Sequence, residues 1–156
     1  MKALTICQPY AHLIVTPQSE LPRFAVQKRV ENRTWNCRYR GPLLIHAGKS
    51  KKFLSTDPDD FDEYEDRLVF GAIVGVAEVV DCVPGNMLRE KPFRFDVYDR
   101  KKYPWLGDHP HAEGPWCIIL DNVQRFRNPV PYRGALGLFN VDGELVTDEL
   151  WDSLEI

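Results

Sequence analysis

The chain has 156 residues, 44% of them hydrophobic and 12% aromatic, with 20 Lys and Arg against 23 Asp and Glu. That is the length and composition of a single globular domain (residues 1–156), able to bury about two thirds of its unfolded surface, and it excludes a disordered or fibrous chain. No apolar run approaches the roughly 20 residues that cross a bilayer, and no signal-peptide core opens the sequence, so a cytoplasmic protein without a membrane partner is expected.

In chain order, residues 3–7 read as a short strand. Gln8-Pro9 then opens a helix, with Pro9 at the first helical position, where a missing N–H costs nothing; the helix runs to Thr16-Pro17. Residues 16–26 carry two prolines and no sustained period, and read as a loop. Residues 28–35 form a strand, 36–41 a turn, and the apolar stretch 42–47 a second strand. Residues 58–70 fit a helix capped by Asp57, with Phe61, Tyr64 and Leu68 on one face. The β-branched run 71–83 suggests a central strand; residues 84–114 are polar and irregular; 116–126 is another strand. A last strand lies around 136–139, and a short amphipathic helix, 147–154, closes the chain. Five or six strands joined by a few short helices predict an α+β fold of small-barrel type rather than alternating βαβ units.

The four cysteines are scattered without a C-x-x-C pair, and Cys7, Cys82 and Cys117 sit in apolar stretches as small buried hydrophobes. His109-Pro110-His111 reads as a rigid surface loop rather than a ligand set, and His46, in an apolar strand, as a core histidine. No metal and no organic cofactor is expected. Charge is unevenly spread: residues 57–66 hold seven acids and 142–155 six, with no base in either, leaving ten acids against all twenty Lys and Arg elsewhere. A basic body points towards a polyanion; the acidic segments are solvated faces or contact surfaces for a protein partner.

Within 28–35, strand alternation projects Glu31, Arg33 and Trp35 to one side and Val30, Asn32 and Thr34 to the other. Lys28 has the opposite parity and joins the first set only if the strand begins after it. Acid, guanidinium and indole on one face either pair among themselves or hold something polar. The pattern Lys28-x-x-Glu31-x-Arg33, followed by Trp35, resembles the G-x-K-x-x-E-x-R signature of ASCH domains, members of the PUA-like superfamily. Gln8-Pro9-Tyr10-Ala11 before it, residues 39–47 after it, Gly71-Ala72-Ile73-Val74-Gly75, and the stretch from Pro131-Tyr132-Arg133-Gly134 to Phe139 extend the likeness over almost the whole chain, with Val26 at the signature glycine.

The resemblance implies a PUA-like β-barrel with a cleft between the first helix and the signature strand, binding RNA, single-stranded nucleic acid or a nucleoside-like molecule. Lys28 and Arg33 would hold phosphate or a base carbonyl, Glu31 an exocyclic amine, Trp35 and Tyr10 would stack, and Gln8 would serve either polar role. An alternative from the same resemblance is a small hydrolase acting on N4-acylated cytidine or on RNA, with Lys28 and Glu31 as the catalytic acid–base pair, although the threonine of such amidohydrolases is replaced here by Glu31. A third reading is a coactivator-type protein-interaction module working through 57–66 and 142–155.

Overall fold

A computed structural model describes residues 1–54, 65–85, 97–145 and 151–152. Of the expected helix over 58–70, residues 58–64 lie outside the described residues, while 65–67 form a 3-10 turn and 68–70 are not helical, so no α-helix runs to Phe70. Of the expected helix over 147–154 only residues 151–152 are described, both helical, and both acidic segments fall largely outside. The fold is α+β. Six strands, β1 (Lys2–Ile6), β2 (Val30–Arg33), β3 (Gly41–Ala47), β4 (Ala72–Pro84), β5 (Trp116–Pro131) and β6 (Leu138–Asn140), form one mixed sheet in the order β2-β5-β4-β3-β1-β6. The helices are short, α1 (Tyr10–Val15) and α2 (Val97–Lys102), with single 3-10 turns such as Gln18–Glu20 and Leu106–Asp108. A mixed sheet with few short helices is compatible with a small barrel-like fold. Among the described residues no helix is long and apolar enough to cross a membrane.

The expected strands are present, with β4 interior to the sheet as its β-branched run requires. Residues 84–114 contain α2 and the turn at Leu106–Asp108, where only irregular chain was expected. β1 pairs in parallel with β3, Leu4 opposite Ile45, and antiparallel with β6, Leu4 opposite Leu138. Neither partner is adjacent to it in sequence, so no local pattern announces the pairing. α1 begins one residue after Pro9, with Leu13 N–H donating to the Pro9 carbonyl.

Two compact units divide the chain, one comprising residues 1–27, 42–77 and 122–156 and the other residues 28–41 and 78–121. In the first, Ala3, Leu44, Ile73, Val76, Phe126 and Val141 form one cluster of the core. His46 is 1% exposed there, its ring nitrogens engaged by Thr5 Oγ1 and the Tyr132 carbonyl, the satisfied core histidine expected from its strand. Gly75 lets β4 close onto its neighbours, since a Cβ there would lie 2.5 Å from the Gln124 carbonyl oxygen and 2.8 Å from Val15 Cγ1. Gly75→Ala is therefore expected to lower stability by about 1–3 kcal/mol, read as a fall in the urea midpoint at unchanged m-value.

In the second unit, Val30, Val83, Leu106, Ala112, Cys117 and Ile119 make the core. All four cysteines are free thiols; Cys37, Cys82 and Cys117 are buried, and Cys7 only partly so. The histidine loop is exposed at Pro110 and half-exposed at His111, as its composition suggests, but His109 turns inward. His109 is 9% exposed, edge-on to Trp105, and its Nε2 accepts the Arg29 N–H at 3.1 Å. Proline beside histidine gave a polar reading, but the backbone donor of Arg29 makes burial of the ring favourable.

Candidate functional site

The candidate site begins at Arg29. Its N–H donates to His109, its carbonyl accepts from Leu120 N–H at 2.9 Å, and its guanidinium lies 3.9 Å over the Trp105 ring. With both backbone groups held, strand alternation starts at Val30, after Lys28, which meets the condition for Lys28 to share a side with Glu31. On the opposite face, the Asn32 side chain ties the 111–114 loop in place. Its Nδ2 donates to the His111 carbonyl at 2.7 Å, and its Oδ1 accepts from the Glu113 and Gly114 N–H groups, each at 2.9 Å. Asn32, on the side away from Glu31 and Arg33, thus ties β2 to the 111–114 loop.

On the other face the three charged residues meet. Lys28 Nζ is 3.3 Å from Glu31 Oε1, and Arg33 Nη2 and Nε are 2.8 and 3.2 Å from Glu31 Oε2. The carboxylate is divided between two cations, one oxygen each. The Lys28 and Glu31 side chains are 4% and 10% exposed and that of Arg33 24%, so the group reaches solvent at the guanidinium. Its formal charge sums to +1.

Alternation does not place Trp35, because β2 ends at Arg33 and residues 34–35 form a bend; the residue is half-buried. The register supplies a different indole. Arg33 lies opposite Trp116 and Glu31 opposite Ile118, so Trp116, also half-buried, is on the face of the charged group. With Arg33 and Trp116 83 positions apart, only the pairing of β2 with β5 could have revealed it.

Gln8 and Tyr10 belong to the first compact unit. Gln8 is 1% exposed, its Nε2 donating to the Val69 carbonyl at 2.8 Å and its Oε1 accepting the His12 N–H at 2.9 Å. Tyr10 packs edge-on against Phe53, ring centroids 5.3 Å apart. Gln8 lines a cavity of ≈190 Å³ beside α1, together with His12, Thr16, Glu20, Arg67 and Arg125. Arg125 Nη2 bonds both Glu20 oxygens at 3.0 Å. Burial holds the His12 ring below the ordinary histidine pKa, with Arg125 and Arg67 adding to the effect. Apart from Gln8, these polar residues were not foreseen, since nothing local in the sequence relates α1 to β5.

Around Asp81 lies a further polar cluster. Tyr103 Oη–H donates to its Oδ2 at 2.8 Å and the Cys82 N–H to its Oδ1 at 2.8 Å, with Arg40 and Lys102 at 3.4 and 3.3 Å. Burial alone would raise the Asp81 carboxyl, but these donors outweigh it and leave the group below its ordinary pKa. Among the described residues no group of three or more His, Cys, Asp or Glu is arranged to hold a metal ion. Comparison of the chain with protein-family models and with curated proteins gives no match.

Proposed function

We propose that the chain is an ASCH-type, PUA-like barrel that binds RNA, other single-stranded nucleic acid or a modified nucleobase through Lys28, Glu31 and Arg33. The observation that carries this reading is a buried Lys28–Glu31 pair whose second oxygen grips Arg33 as the guanidinium emerges into solvent. A buried ion pair stabilises a fold little better than apolar residues of the same volume, so stability alone is a weak reason for one. Its use is to fix charge in space. Held along one edge by Glu31, the guanidinium plane is set, which suits bidentate contact with a phosphate or a base carbonyl. Glu31 retains further lone pairs for an exocyclic amine, and Trp35 and Trp116 offer ring faces for stacking. Gln8 and Tyr10 come into the proposal through the family resemblance alone, since in the fold both have structural contacts.

Arg33→Ala keeps the Lys28–Glu31 pair and is expected to fold. Its affinity for a short single-stranded RNA or for a nucleoside should fall about 10- to 100-fold, and Trp35→Ala should produce a comparable loss, as titration calorimetry would read. Wild-type affinity matched by both variants would remove the reading. Release of carboxylate from N4-acylcytidine, absent in Lys28→Ala, would replace it by the hydrolase.

A further inference from the structure

The first compact unit contains a second polar groove, apart from the residues of the proposed site. It encloses ≈660 Å³ and is lined by residues that include Thr5, His46, Lys49, Gly71, Arg133 and Gly134, with no Asp or Glu among them. Among the described residues no carboxylate pairs with either Lys49 or Arg133.

The two cations are mounted on closely fitted backbone. The Tyr132 carbonyl, 2.6 Å from His46 Nε2, can only accept, so Nε2 carries the proton and Nδ1 receives the Thr5 hydroxyl at 3.1 Å. Tyr132 N–H donates to the Gly71 carbonyl at 3.1 Å. These bonds pin the segment that bears Arg133. Gly134 follows so closely that a Cβ would sit 2.8 Å from Thr5 Oγ1 and 2.9 Å from His46 Cε1. Across the groove, Gly71 takes φ +67°, its N–H bonded to the Ala47 carbonyl at 2.7 Å, and the Lys49 stem crosses where a Cβ would be, 2.8 Å from Lys49 Cε. Like charges brought to one groove repel, and among the described residues no carboxylate lines it to offset them; what the arrangement suits is an anion with several oxygens. Arginine offers a fork and lysine a point charge, the pairing that fits a phosphate.

We infer that this groove binds a phosphate group, carried by a nucleic-acid backbone or by a free nucleotide. The inference does not depend on the proposed function, and the experiment separates them. Inorganic pyrophosphate titrated into ¹⁵N-labelled full-length protein, against sodium chloride at matched ionic strength, should move the amide signals of Gly48, Gly71 and Gly134 saturably. The double variant Lys49→Ala/Arg133→Ala, whose altered side chains are both exposed, should melt as the wild type does and bind about tenfold more weakly or worse. Arg33→Ala should leave the groove response intact. A short single-stranded RNA that moves the same amides at lower concentration than a nucleoside 5′-monophosphate identifies the backbone as the source; the reverse order identifies the nucleotide. Groove amides indifferent to pyrophosphate, or equally responsive in the double variant, would overturn the inference. A groove that responds while nucleosides leave Arg33 and Trp35 undisturbed would sink the proposed function and leave this one standing.

Discussion

Glu31→Ala is expected to lower stability by about 3–5 kcal/mol, because it withdraws the carboxylate from an ammonium that is almost wholly buried. That is a large part of a typical folding margin of about 5–15 kcal/mol and corresponds to a fall of roughly 10 °C in Tm. Glu31→Gln should recover only part of the loss, since an amide oxygen accepts hydrogen bonds without supplying charge. Removing both members of the pair, Lys28→Met with Glu31→Leu, should restore most of it, because two matched apolar side chains leave no buried charge. Arg33→Ala, at the solvent end, should cost only about 1 kcal/mol. Melting curves of the four variants test the set, and a Glu31→Ala protein as stable as wild type would mean that the pair is not buried in solution.

Acidification should destabilise the protein through His109. Its pKa is depressed from the ordinary 6.5 to about 4, chiefly by burial, with His111, Lys28 and Arg29 adding repulsion to the charged form. Protonation at Nε2 would also set a donor against the Arg29 N–H that this nitrogen accepts. Between pH 6.5 and about 4 the unfolded chain holds a proton that the folded chain refuses, so stability is full above the ordinary value and is lost as pH falls through this window. The loss amounts to about 3 kcal/mol at its lower end. His12, also depressed by burial, acts in the same direction, and Asp81, held low by its donors, adds to the loss at still lower pH. Urea midpoints measured from pH 7.5 to 4.5 should slope downward in the wild type and much less in His109→Gln, whose amide oxygen can replace the lost acceptor. Equal slopes in the two proteins would assign the effect elsewhere.

Local pattern made the strands legible: β-branched runs and alternation located β1, β3 and β4 to within a residue at each end and the start of β5, which continues five residues past the expected end at 126. It made the charged triad legible too, because Lys28, Glu31 and Arg33 lie within one short stretch whose spacing brings them together once β2 starts at Val30. Relations made by pairing were not legible. Trp116 beside Arg33, Asn32 holding the 111–114 loop, and Tyr132 held by His46 each join residues more than 75 positions apart. Alternation stops with β2 at Arg33 and so leaves the Trp35 side chain unplaced, and the burial of His109 is not legible because its partner is a backbone N–H, which no side-chain pattern encodes.

The proposal that the Arg33 surface receives a nucleobase or nucleic acid is tested most directly by following the indole N–H signals of the four tryptophans as a nucleoside or short single-stranded RNA is added. Saturable movement of the Trp35 and Trp116 signals together with the Arg33 Nε–H, with Trp151 unmoved, is the expected result. Movement confined to other positions, or no movement at any concentration reached, would contradict the proposal.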